Sequence, residues 1–441
     1  FQRVMPAEGA ATALPARPAR WQSLPGAGWL QQGGTALADQ AVVSGTTLAT
    51  SVLVGRTCSK EQFGLFMLAF SLLLLCNGLM ISLISAPYVV RRPLLSHTTL
   101  ARHDGDTLIY LAVLCGLVAL GLLLATAADL GPAGLSPIIG ILSGVVVVQL
   151  FKEYARQMCF ARLQMGSALA MDSTVGALQV GGLLWLASTG RLTPSTAFAA
   201  IGVASGLAAL AWCWHNHNTL RVCPRQAVRD FDQHWQLARF AFVSGLLHAL
   251  TVNLYPWIVA WTGGIAAAGV WAAGFAIAAL IVPPVTGAQN YLAPRLADAY
   301  AQGGLPVLRR LAVRASGAFC ALALPYAASL ALFGGLVVVF CYGDPYAGHE
   351  QLVAVLGAAL LAGAAGFSFG RALFSIDRAQ VDLLANAIAL GILLTAGAWM
   401  TWQWGPLGAA YGMLLTNTVA SLIKAMAFLW LSRSRPTEAT R

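Results

Sequence analysis

Charge is what this sequence has least of. Asp, Glu, Lys and Arg make up 10 % of its 441 residues, against about 25 % in an average soluble domain. So few charges cannot clothe a water-soluble surface. Paired cysteine motifs are also missing. The eight cysteines, at positions 58, 76, 115, 159, 213, 223, 320 and 341, form no C-x-x-C pair. Most sit inside apolar runs and read as small core hydrophobes, which excludes a disulfide framework. Alternating ten-residue strands of the membrane-barrel kind do not occur. Walker, Rossmann and catalytic-triad spacings are absent too, so no cofactor is called for.

What fills the chain instead is apolar: 58 % of residues are hydrophobic. Runs of about 20 such residues recur, each long enough to cross a hydrocarbon core. Spans of this kind must be helices, because lipid offers no partner to backbone N–H and C=O groups. The reading is an all-α integral membrane protein with twelve transmembrane helices. The expected limits are 35–56, 63–90, 107–128, 134–158, 167–189, 194–214, 236–261, 266–291, 312–341, 351–373, 380–402 and 406–431.

Lys and Arg test that count. Sorted by the side of the membrane on which twelve spans place them, all of the 26 but Arg56, Lys60 and Arg191 fall on one side. The positive-inside rule makes that side cytoplasmic, with both termini on it. The net charge of +10 is therefore a topology signal and a contact with anionic lipid, not a nucleic-acid surface. The first 34 residues carry Arg3, Arg17 and Arg20 among Pro, Gly and Ala without a compact apolar region. They read as a flexible cytoplasmic tail rather than a cleavable signal. Cys213, His215, His217 and Cys223 invite a metal reading. Positions two apart do not share a helix face, so a polar exit from span 6 is the better reading and no metal is assigned.

The chain starts over at its midpoint. AVVSG at 41–45 returns as AFVSG at 241–245. Phe63-Gly64-Leu65-Phe66 opens span 2 as Ala268-Gly269-Val270-Trp271 opens span 8, and Ala86-Pro87 closes span 2 as Ala293-Pro294 closes span 8. Six spans is an even number, so both copies enter the membrane the same way up. The expected division is a six-helix bundle over 35–214, a cytoplasmic linker over 215–235, a second bundle over 236–431 and a tail over 432–441. Two such bundles around a central cleft are a transporter architecture. Pro256 in span 7 is a hinge candidate, and Pro283-Pro284 and Pro325 are further expected breaks.

The segment TTLATSVLVGRTCSKEQFGLFMLAFSLLLL (46–75) resembles the first hairpin of bacterial polysaccharide-biosynthesis flippases in the multidrug/oligosaccharidyl-lipid/polysaccharide (MOP) exporter superfamily. Gly55-Arg56, Glu61 and Phe63-Gly64-Leu65-Phe66 carry the match. Arg156, Phe160, Ala161, Arg162 and Asp172 resemble the family's span 4–5 junction. Tyr342-Gly343-Asp344-Pro345-Tyr346-Ala347 resembles its turn before span 10, and Gly405-Pro406-Leu407-Gly408-Ala409-Ala410-Tyr411-Gly412 its opening of span 12. The resemblance implies a V-shaped pair of bundles in the bacterial inner membrane. It also implies a lipid-linked oligosaccharide as cargo, coupling to Na⁺ or H⁺, and polysaccharide assembly proteins as partners. A multidrug antiporter of the same superfamily is the alternative. A membrane-embedded polymerase or glycosyltransferase is disfavoured, because the outer loops are short and hold no paired catalytic residues.

Ionisable groups deep in a membrane are functional candidates. His248 lies about 18 Å into span 7 at 1.5 Å per residue, with Asn253 five residues on. It is either a coupling or head-group site or a neutral imidazole bonded within the bundle. Asp172, inside span 5, needs a partner that Arg156 or Arg162 supplies. Asp39 opens span 1, where the resemblance adds a cation-coupling role to that of a helix-end carboxylate. Arg56 and Arg371 either reach phosphate in a cavity or snorkel to the interface. The mid-span amides Asn77, Gln149, Gln179, Gln289, Asn290, Asn386 and Asn417 either line the cleft or bond helix to helix.

Overall fold

A computed structural model describes residues 26–92, 97–217 and 224–433, and among these no strand occurs. Ten long apolar helical stretches run through it: Gly34–Thr57, Lys60–Val89, His103–Ala127, Ser136–Ala161, Met165–Ser188, Pro194–Asn216, Phe242–Gly263, Ile265–Tyr342, Glu350–Ser375 and Ala379–Leu431. Two of them are broken by a glycine in the left-handed region, Gly304 (φ 61°) and Gly405 (φ 57°). A side chain is disfavoured at such a φ, so glycine permits the reversal. At Gly405 the chain folds back tightly enough that a Cβ on Gly412 would lie 2.9 Å from the Cα of Gly397. Divided at these glycines, the ten stretches become twelve segments, numbered here as spans 1 to 12 in chain order.

Helix starts are capped as the sequence allows. Ser59 and Gln62 form a reciprocal capping box at span 2, and Thr193 and Thr196 another at span 6, where Pro194 occupies the first turn. Such boxes satisfy donors that a helix end otherwise leaves bare. The helix that carries span 1 already begins at Gly26, inside the segment expected to be tail; residues 1–25 lie outside the described set. The helix carrying span 7 starts at Pro224, so residues 224–235 are helical rather than an open linker. Residues 218–223 and 434–441 are outside the described residues. Span 7 breaks at Leu254, between the helices Pro224–Asn253 and Tyr255–Gly263, with Pro256 in the first turn after the break. Pro283 and Pro284 follow a 3-10 turn, Ala279–Ile281. Pro325, by contrast, lies within an unbroken helical stretch.

The two halves meet through a reciprocal contact. A Cβ on Gly64 would collide with the Ile265 carbonyl, and one on Gly269 would lie 2.5 Å from the Lys60 carbonyl. Lys60 and Ile265 open the helices of spans 2 and 8, and the offset between them is that between Gly64 and Gly269. Residue i of one half touching j of the other, and j's counterpart touching i's, is the signature of a twofold axis. The repeat read from the sequence is therefore present in space, with its axis passing between these two glycines. Both glycines are required by backbone approach alone.

The surrounding core joins the halves on this charge-poor side. Phe63, Phe66, Trp271, Tyr342, Tyr346 and Leu356 belong to one buried cluster. Tyr342 is fixed by a 2.8 Å hydrogen bond to Ser51 and by ring contacts with Phe63 and Tyr346. A separate core of Leu296, Leu308, Phe319, Phe369 and Phe428 belongs to the second half and lies toward the basic side.

Candidate functional site

Span 5 packs on span 1 through a polar seam. Asp172, Gly176 and Gln179 fall on one face of span 5. A Cβ on Gly176 would come within 2.5 Å of Thr46 Oγ1, and Gln179 donates to Thr50 Oγ1 at 2.8 Å. At the basic end of this seam span 4 inserts Lys152, Glu153 and Arg156, one turn of helix. Arg156 bridges three carboxylates: Asp172 Oδ2 at 2.6 Å, Asp39 Oδ2 at 2.8 Å and Glu153 Oε1 at 3.0 Å. Lys152 Nζ lies 2.5 Å from Asp172 Oδ1. All five residues are buried, Asp39 completely. Three carboxylates face two cations, so the fully ionised group carries one negative charge in excess. Asp39 Oδ1 is buried without a hydrogen-bond partner among the described residues. An acceptor with no donor, in a cluster one positive charge short, is chemically a place for a cation or a proton.

Arg162 belongs elsewhere. It pairs with Asp104 of span 3 at 2.8 Å and donates to Asn216 of span 6 at 3.0 Å. Tyr88 of span 2 donates to the same Asp104 at 2.8 Å. This network ties spans 2, 3 and 6 to the span 4–5 corner at the basic side.

The second half repeats the arrangement with different chemistry. Asp382 lies in the first turn of span 11, whereas Asp172 lies two turns into span 5. Lys424 of span 12 pairs with it at 2.8 Å, Ser244 of span 7 donates to it at 2.8 Å, and Asn386 donates to it at 3.1 Å. Here one carboxylate faces one cation and the charge balances.

His248 is one turn beyond Ser244. Successive residues are about 100° apart around a helix, so His248 lies about 40° from Ser244, which faces span 11, and about 60° from Gly245 on the other side. Gly245 faces span 2, since its Cβ would lie 2.7 Å from Ser82 Oγ. His248 thus points into the angle between span 2 of one half and span 11 of the other, with Lys424 and Asp382 as its charged neighbours. Its side chain is solvent-accessible. Asn253 faces differently. It donates to the Ala249 carbonyl at 2.8 Å and lines, with Ser71, Leu72, Leu75, Leu250 and Trp257, an apolar cavity of about 170 Å³ between spans 2 and 7.

Arg56 and Arg371 are exposed and belong to neither cluster. Of the mid-span amides, Gln149 bonds to Ser205, Gln179 to Thr50, Asn386 to Ser244 and Asn417 to the Ala359 carbonyl, all between helices. The side chain of Asn290 lies outside the described residues. Lys152, Glu153, Asp382 and Lys424 were not singled out by the sequence reading. The signal was present, since each lies inside an expected span, where a charge needs a buried partner.

No curated protein sequence matches the chain. Among solved structures it is similar to an inward-facing multidrug resistance MATE family transporter of the MOP superfamily. The identity is 15 %, the TM-score 0.73, and the match covers 90 % of this chain and 96 % of that one. The outward-facing form of a multidrug resistance MATE family transporter of that superfamily gives 14 % identity, a TM-score of 0.67 and coverage of 92 % and 96 %. A MOP superfamily transporter from Pyrococcus furiosus, described as having a binding pocket of reversed polarity, gives 14 %, 0.67, and 92 % and 95 %. At such identities the likeness establishes the fold. Residues 89–350 match the family model described as polysaccharide biosynthesis protein. The chain belongs to the polysaccharide biosynthesis protein family and is built on the two-bundle fold of the MOP superfamily.

Proposed function

We propose that this chain flips a lipid-linked oligosaccharide, of the polyprenyl-pyrophosphate type, across the bacterial cytoplasmic membrane by alternating access. The observation that carries the reading is a two-bundle transporter fold in a polysaccharide biosynthesis family. A polysaccharide precursor that must cross a membrane while its tail stays in lipid fits that combination. The cleft beside His248 and Lys424 receives the head group. The buried group around Asp39, Arg156 and Asp172 takes up the coupling Na⁺ or H⁺, because it is one positive charge short. The basic side is cytoplasmic and holds both termini, and Pro256 is the hinge of span 7.

The test is a leaflet-accessibility assay in cells lacking the protein. Lipid-linked saccharide is expected to accumulate facing the cytoplasm. The chain restores delivery, and a His248→Ala form restores it poorly. Unchanged delivery in the deleted cells would overturn the reading. Export of a small cation in its place would favour the antiporter alternative.

A further inference from the structure

The helix that leads into span 7 is amphipathic in three sectors. Taking Val228 as reference and about 100° per residue, Ala227 and His234 lie near 250° and are buried. Phe231, Trp235 and Val228 fill the next sector, up to the reference direction, and are 46 %, 40 % and 76 % exposed. Arg225, Arg229 and Asp232 occupy the sector beyond and are exposed.

The buried sector docks the helix on spans 2 and 3. His234 Nε2 donates to the Leu83 carbonyl at 2.6 Å, within the π turn Ile81–Ser85 of span 2, and Tyr110 of span 3 donates to the Ala227 carbonyl at 2.7 Å. The docked segment is the start of one continuous helix, Pro224–Asn253, which goes on to form span 7. A solvent-exposed helix has no use for the Phe231–Trp235–Phe242 ladder, whose rings lie 6.3 Å and 6.1 Å apart. A helix embedded about 5–10 Å into the headgroup boundary needs such an apolar sector flanked by arginines.

We propose that residues 224–242, the start of the span 7 helix, bind anionic phospholipid headgroups of the leaflet on the basic side. The apolar sector inserts among acyl chains. Arg225 and Arg229, one turn apart, present two guanidinium groups to lipid phosphate, where Arg bonds in a bidentate fashion. Asp232 shares their sector and leaves the net charge positive. Because the opposite face grips spans 2 and 3 while the helix continues as span 7, a lipid site here sits on the seam between the halves.

The test places a photoreactive benzoylphenylalanine at position 228 of the full chain, in vesicles of phosphatidylcholine with a minority of phosphatidylglycerol. Cross-links to phospholipid are expected, with phosphatidylglycerol over-represented severalfold relative to its share of the bilayer. The excess should vanish in the Arg225→Gln/Arg229→Gln form. The same probe at position 261, on the charge-poor rim, should show no such excess. Cross-links confined to protein, or an excess that survives removal of both arginines, would overturn the proposal.

Discussion

Arg156 holds three carboxylates in a site with almost no access to water. Removing one partner of a buried ion group leaves the others uncompensated, at a cost of about 3–5 kcal/mol. Arg156→Ala is expected to lower the thermal unfolding midpoint of the detergent-solubilised protein strongly. Arg56→Ala, at an exposed position, should leave it within a degree or two. The turn before span 10, on the charge-poor side, holds a milder titration. Burial, and then the charge of Lys60, hold the His349 imidazole below its ordinary value, so the folded chain favours the neutral ring. Between the folded and ordinary values the unfolded chain binds more protons, so stability rises with pH there. The contribution is complete above the ordinary histidine range and is lost as pH falls through the folded value. His349→Gln should flatten this part of a stability–pH curve measured by thermal unfolding. Of these residues the sequence offered Arg156 or Arg162 as a partner for Asp172 and left Asp39 by itself. Their meeting depends on how spans 1, 4 and 5 pack, and spacing along a chain does not encode that.

At the scale of the element, the long apolar helices and their order were legible because a hydrocarbon slab imposes length and apolarity on every crossing. The two hairpins at Gly304 and Gly405 were legible too, as breaks in the apolar runs. The helical start of span 7 was not. A polar, arginine-bearing stretch reads as linker until its docked face, Ala227 and His234, is seen against spans 2 and 3. Within span 7 the break at Leu254 coincides with the missing N–H of Pro256. Pro256→Ala restores that donor and is expected to straighten the helix. Hydrogen exchange at residues 250–258 should slow in this variant, and transport should slow with it. Faster exchange would show that the proline tightens the segment instead.

The molecule as a whole is two copies of one bundle pressed together where neither has a side chain. Gly64 and Gly269 bring backbones into contact across the axis on the charge-poor side. The sequence announced the repeat, since related halves keep related motifs. The side on which the halves are joined is a property of the packed state, and no motif announces it. The copies also differ in charge: the first carries an uncompensated carboxylate where the second carries Lys424 beside Asp382. In the proposed mechanism the first half exchanges the ion and the second stays balanced. The most direct measurement is flipping of a lipid-linked saccharide in proteoliposomes by a cysteine-replaced chain carrying Lys60→Cys and Ile265→Cys, with a short reversible reagent bridging the two thiols. The account predicts transfer that stops when the bridge forms and resumes when it is cleaved. Transfer that continues through the bridged contact, or none by the unbridged chain, would contradict it.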